Sequence, residues 1–173
     1  MAVDLTLGAD GYKGQTPLTL ALGQWWKECP AAETDARVDV VKALVQADAD
    51  VNIIGKCSLP KESSSATPLM QACIQGSIEC VQLLLDANAN IQAQNTMGYT
   101  ALHFAAEHGT SPHHIKCVDL IIKRHRAASK IRNKKNRLAH ELAADTMHGK
   151  GILSILKKAY EEEMKKEQEE LER

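Results

Sequence analysis

Aromatic residues are scarce in this sequence, which holds one Phe, two Trp and three Tyr in 173 positions. That excludes a sandwich or barrel core built on aromatics and favours packed helices with an Ala, Leu, Ile and Val interior. Long apolar runs are missing as well: none approaches 18 residues, and the opening MAVDLTLGADGY carries Asp4 and no basic residue ahead of an apolar stretch. Neither a membrane span nor a signal peptide is expected, and the expected location is the cytoplasm, the nucleus or both. The five cysteines (Cys29, Cys57, Cys73, Cys80, Cys117) are odd in number, widely spaced and without a CxxC pair, which suits reduced thiols better than disulfides or zinc. No GxSxG, GxxxxGK[ST], HExxH or paired-glycine fingerprint occurs, and no His/Cys pair comes with a third orienting residue. The chain is read as a non-enzyme with neither cofactor nor metal.

What is present is enough hydrophobic material, 44%, for one domain with a continuous core. The net charge of −1 conceals an asymmetry: Lys123 to Arg137 holds eight basic residues and no acidic one, whereas Glu161 to Arg173 holds seven Glu against three basic residues. A near-zero total therefore leaves room for a charged binding surface.

Internal repetition is the strongest signal. TPLTLAL at Thr16, TPLMQAC at Thr67 and TALHFAA at Thr100 recur, the last two 33 residues apart, a period that marks a stacked array. Behind each opening stands a second apolar segment, in which Val38/Val41/Leu44/Val45, Ile78/Val81/Leu84/Leu85 and Ile115/Val118/Ile121/Ile122 fall on one helical face. Each unit is thus two helices. Thr16 and Thr67 stand at N-cap positions with Pro17 and Pro68 in the first turn, where no N–H is missed. Gly14 and Gly98 precede the caps in tight turns, Gly76 and Gly109 close the turn between paired helices, and Asn88 ends a second helix in the left-handed region.

These residues resemble ankyrin repeats, through TPLxxA, TALHFAA, the glycine nine residues after Thr67 and Thr100, and the endings DADVN and NANIQ. The resemblance covers Gly11 to Ala159 in about four units: repeats near 11–53, 54–94, 95–132 and 133–160, followed by a charged helical extension over 161–173. In the degenerate last unit NRLAHELAA takes the TPLHLAA position and GILSILKKA the second helix, as suits a terminal cap facing water. The implied fold is an all-α repeat solenoid of helix pairs with β-hairpin fingers. The implied function is a protein-binding scaffold.

Departures from the period locate insertions. Thr16 to Thr67 exceeds one period by 18 residues, of which 7 fall in the finger loop and 11 between the helices of the first repeat. This places an interhelical insertion over Gly23–Arg37 (centred on 25–37), an enlarged finger over Ile54–Ala66 (centred on 55–65), and about four extra residues around TSPHH (110–114), all expected to loop out of the stack.

Trp25 and Trp26, two large rings on an insertion, are candidate partner contacts, the alternative being that they fold back over the edge of the first repeat. Ser63, Ser64 and Ser65 are candidate phosphate acceptors or a polar loop. The basic block suits an acidic partner surface, with a nuclear-import signal or nucleic-acid contact as weaker versions, since no aromatic is interleaved to stack bases. His103 matches the histidine of the family's TPLH motif, which ties one unit to the next. His108, His113, His114 and Cys117 lack the four-ligand pattern of a metal site and are read as surface histidines. Asn52 looks like the asparagine that hydroxylases modify in some ankyrin proteins, or else hydrogen-bonds the hairpin backbone. In the tail, Glu161/Lys165, Glu162/Lys166 and Glu169/Arg173 are spaced to extend the last helix as a solvated rod.

The resemblance places contact positions at Tyr12, Lys13 and Gln15, at Ile74 and Gln75, at Thr96, Met97, Tyr99, Glu107 and His108, and at Lys134, Lys135 and Arg137. Met97 and Tyr99 form the expected exposed apolar anchor, so the expected partner is another protein with an apolar centre and an acidic rim, bound by a monomer. The competing expectations are a nuclear or nucleic-acid-associated adaptor using the basic block, and a regulatory portion of a larger enzyme.

Overall fold

The computed structural model describes residues 16–23, 34–56, 65–109, 111–146 and 149–172. Within them lie α1 (Pro17–Ala21), α2 (Thr34–Gln46), α3 (Pro68–Gln75), α4 (Ile78–Asp86), α5 (Ala101–His108), α6 (Pro112–Arg124), α7 (Ala139–Ala144) and α8 (Lys150–Leu171). A 3₁₀ helix, Arg126–Lys130, follows α6. Two short strands, β1 (Gly55–Lys56) and β2 (Ser65–Ala66), pair antiparallel, setting Gly55 opposite Ala66 and Lys56 opposite Ser65. Odd-numbered helices pack on one another as an inner row, even-numbered helices form a second row, and each pair packs within its own unit. This is the all-α repeat solenoid that the periodicity implies.

The inner helices begin in the same way because their sequences begin in the same way. Thr16 Oγ1 accepts the Thr19 N–H at 3.2 Å while Thr19 Oγ1 accepts the Thr16 N–H at 2.8 Å, so two orphan donors are satisfied reciprocally. Thr67 repeats the arrangement with Met70, whose sulfur stands 3.3 Å from the Thr67 nitrogen. In α5 the partner is His103, and in the degenerate α7, where Leu138 replaces the threonine, only half of the cap survives as Leu138 N–H donating to Glu141 Oε2 at 2.7 Å. The second helices end on Asp48 (φ 62°) and Asn88 (φ 61°), small polar residues that tolerate the left-handed region.

Between the rows lies the core. Leu18, Leu22, Val41, Leu69, Met70, Val81, Leu84, Leu102, Phe104, Val118, Ile121, Ile152 and Leu156 are buried, and Ala72, Ala105 and Ala106 let adjacent inner helices approach closely. The faces read from helical spacing are those that pack: Val41, Val81, Leu84, Leu85, Val118, Ile121 and Ile122 are buried, with Val38, Leu44, Val45, Ile78 and Ile115 packed beside them. Truncating one buried leucine of this kind to alanine costs about 2–5 kcal/mol.

Two insertions differ from expectation. The residues around TSPHH do not loop out: Ser111 is the N-cap of α6, and Pro112–His114 supply its first turn, so α6 has 13 residues against 9 in α4. An added helical turn satisfies its own backbone, which an excursion over the surface would not. Likewise α2 starts at Thr34, inside the stretch assigned to the interhelical insertion. At the C-terminus α8 is one unbroken helix of 22 residues that passes through the expected repeat boundary at 160.

Candidate interaction surface

The fingers of the third and fourth repeats are built on the same asparagine device. Asn95 Oδ1 accepts the N–H groups of Met97 (3.0 Å) and Tyr99 (2.9 Å), and Asn133 Oδ1 accepts those of Lys135 (2.9 Å) and Arg137 (3.0 Å). Both asparagines are buried. A left-handed residue closes each turn, Gly98 (φ 74°) in one and Asn136 (φ 59°) in the other. Adjacent fingers are stitched together: Asn95 Nδ2 donates to Ser65 O (3.1 Å), and Lys134 N–H donates to Met97 O (3.1 Å). Gly98 permits that approach, since a Cβ there would stand 2.7 Å from the Lys134 nitrogen. The sequence reading missed both asparagines. Their signal was available in the paired strings NTMGYT and NKKNRL, which align residue for residue on Asn95 and Asn133.

This scaffold brings several expected contact residues together. Thr96, Lys134 and Lys135 are exposed on neighbouring finger tips, and the two lysines form no ion pair among the described residues. Met97 and Tyr99 are half-buried, not the exposed pair expected, because the Tyr99 ring packs on His103 (5.4 Å) and on the fully buried Phe104 (5.3 Å). Burial also raises the Tyr99 phenol above its ordinary value. His108 lies parallel to the opposite end of the same column, 6.3 Å from Phe104. Glu107 is exposed beside it, and Ile74 and Gln75 are half-buried at the corresponding end of α3. Arg137 is held within the fold, its guanidinium donating to Glu141 O (2.6 Å) and pairing with Asp145 (2.7 Å), so the positive fourth finger is carried by Lys134 and Lys135. Tyr12, Lys13, Gln15, Trp25, Trp26, Ser63 and Ser64 lie outside the described residues. Ser65 bonds through its hydroxyl to Thr96 (3.3 Å) between two fingers.

Histidines lock the third repeat to both neighbours. His103 Nδ1 accepts from Thr100 N–H (3.2 Å) and hydroxyl (2.8 Å), which leaves Nε2–H to donate to Arg137 O (3.1 Å) in the next finger. The neutral ring satisfies every partner, and burial lowers its pKa below the ordinary 6.5. His114 was expected at the surface and is instead buried, bonding to Ser111 (2.8 Å) and donating to Ile74 O (3.2 Å) across the repeat boundary. Its ring lies over Gly76 (φ 67°), where a Cβ would meet it at 2.9 Å. Asn52 Oδ1 accepts the Asn90 N–H at 2.7 Å, joining two successive hairpin ends.

Four of the five remaining cations of the basic block are matched from within, and the fifth, Arg132, donates to Asn136 O (2.7 Å). Lys123 pairs with Asp119 (2.7 Å), Arg124 with Asp86 (3.1 Å), Arg126 with Glu162 and Lys130 with Glu167. The tail extends α8 as an exposed helix, as expected, and in addition pairs with the block through Glu162 and Glu167; the helix's internal pairs run Lys157–Glu161, Lys158–Glu162, Lys165–Glu169 and Lys166–Glu163. Cys73, Cys80 and Cys117 are buried and free, and burial pushes the Cys117 thiol up to about 12, so these thiols stay protonated and unreactive. Among the described residues no group of three His, Cys, Asp or Glu side chains converges as a metal site would require, and no helix is long and apolar enough to cross a membrane.

A family model described as ankyrin repeats in three copies matches residues 29–135. The chain is 37% identical over 92 residues to the probable E3 ubiquitin-protein ligase XBOS33 of Oryza sativa subsp. japonica, covering 53% of this chain and 16% of that relative. It is 39% identical over 85 residues to the E3 ubiquitin-protein ligase XBAT33 of Arabidopsis thaliana, covering 49% of this chain and 14% of that relative. The matched segment is therefore a small part of each relative's length.

Proposed function

The chain belongs to the ankyrin repeat family, and from that premise we propose that it is a scaffold that binds another protein across its fingers and inner-helix row. Ankyrin repeats are generally protein-binding and non-catalytic. The observation that carries the finer reading is the joined pair of fingers: Lys134 and Lys135, without an ion pair among the described residues, stand beside Thr96 and Met97 on a backbone fixed by buried asparagines. A surface rigid before binding loses little entropy on binding. Its chemistry suits a partner with carboxylates placed around a small apolar contact. Half-buried Tyr99 and His108, resting on Phe104, extend the surface toward the ends of α5 and α3.

The test is affinity capture of the tagged chain from its native lysate, with and without nuclease, beside a Met97→Ala/Lys134→Glu/Lys135→Glu variant. Specific proteins that survive nuclease and are lost with the variant support the reading. Capture that ignores the variant, or that vanishes with nuclease, rejects it in favour of another surface or of nucleic acid.

A second reading is that this array is the binding or regulatory portion of a larger enzyme. It is favoured by the relatives, which carry the name of E3 ubiquitin-protein ligases and match this chain over about half of its length. Sequencing the full transcript decides it: a catalytic domain in the same reading frame supports this reading, and a reading frame that encodes no domain besides the array removes it.

A further inference from the structure

Two cations that the fingers do not use, Arg126 and Lys130, lie where the chain's own acidic helix meets them. Beyond Ala159, the last buried residue of α8, the helix continues for twelve residues in which no side chain is buried. Met164 is 42% exposed and Leu171 88% exposed, so apolar packing does not hold this segment in place. It is held instead against the 3₁₀ helix by Arg126–Glu162 and Lys130–Glu167. The spacing of the two sets matches. Carboxylates five positions apart on an α-helix rise about 7.5 Å, and cations four positions apart on a 3₁₀ helix rise about 8 Å. Ile122, Ile155 and Ala159 floor a groove of about 270 Å³ whose walls carry Lys123, Lys158 and Asp119 together with Arg126 and Glu162 of this contact.

We propose that the Arg126–Lys130 segment with this groove is a second docking site, for an acidic helix of another protein, and that the end of α8 occupies it in the unbound chain. The seated tail displays the chemistry that the site accepts: a helix with two carboxylates about 7.5 Å apart along its axis. The tail acts as a tethered competitor, because its attachment gives it a high effective concentration while each solvent-exposed ion pair holds it weakly. An incoming helix with a further apolar side chain for the groove displaces it. This site uses the second row of helices and does not depend on the finger reading.

The probe is a fluorescent synthetic peptide spanning Tyr160 to Arg173, titrated into the full chain. With Glu162→Gln/Glu167→Gln the tail loses its hold, and the expected result is binding about tenfold tighter than to the unaltered chain. Adding Arg126→Ala/Lys130→Ala removes that gain. The exchanged variant Arg126→Glu/Glu162→Arg rebuilds one intramolecular pair and sets a carboxylate against Glu162 of the probe, so binding is expected at or below the level of the unaltered chain. Circular dichroism confirms that each variant keeps its helices. Three binding results overturn the proposal: no gain in the unmasked variant, a gain that persists without Arg126 and Lys130, or a gain for duplex DNA with none for the peptide. A dimer of the unaltered chain that dissociates on Arg126→Ala/Lys130→Ala also overturns it, since the occupant is then a second copy.

Discussion

The two halves of the basic block differ more than their sequences do. From Lys123 to Lys130 each of four cations meets a carboxylate, one on its own helix, one on the neighbouring α4 and two from the end of α8. At Lys134 and Lys135, a few residues further on, the side chains stand in solvent on a finger tip whose backbone N–H groups from Asn133 to Arg137 are all bonded. A run of like charge in a sequence therefore does not measure the charge that a partner meets. What a partner meets is the remainder after the fold has matched charges brought close by the stacking of repeats.

That comparison is broken most strongly at His103, on which the fourth finger hangs. His103→Ala leaves the buried Thr100 N–H without a partner and Arg137 O with the Asn133 N–H alone, and is expected to cost about 2–3 kcal/mol. A thermal melt should show a fall of roughly 4–12 °C for a chain of this size. The same residue sets a pH dependence. Its folded pKa lies below 6.5 because burial disfavours the charged ring, so the unfolded chain takes up a proton first as pH falls. This contribution to stability is complete above about pH 6.5 and is lost below it. Melts between pH 7.5 and 5 should converge for the parent chain and His103→Gln, and parallel curves would rule the titration out.

Gly98→Ala separates the position of the two lysines from their charge. The substitution forces a side chain into φ 74° and against the Lys134 nitrogen, and is expected to cost about 1–3 kcal/mol. Hydrogen exchange at Lys134 should accelerate while exchange in α6 stays unchanged. Smaller again is the matched half: Glu162→Gln or Glu167→Gln should change stability by less than about 1 kcal/mol, with the difference shrinking in salt. Smallest is the exposed half, where Lys134→Ala/Lys135→Ala should alter stability by no more than about 0.5 kcal/mol. A large loss of partner binding by that same variant would sharpen the contrast between charges that hold the fold and charges that face outward.

Much of the fold was legible because repetition restates it. The threonine caps, the apolar faces of the second helices and the left-handed Asn88 are local patterns whose meaning needs no distant residue. His103 was readable as a tie between units through the motif around it. By contrast, His114 and Arg137 looked like surface residues, since their partners, Ile74 O and Asp145, are fixed by neighbouring turns and units. The insertion near TSPHH was misread for a related reason. Counting residues locates extra length, but only the neighbouring helices determine that four residues extend α6 in place of a loop.

The sequence alone determined that the chain is a stack of paired helices, where each unit begins and which faces are apolar, because a 33-residue period, capping residues and helical spacing act over a few turns. Tertiary structure decided which charges remain for a partner, which histidines are buried and that the acidic tail lies on the basic 3₁₀ helix. Those outcomes depend on contacts between residues some 34 to 40 positions apart, brought together only when one repeat packs on the next.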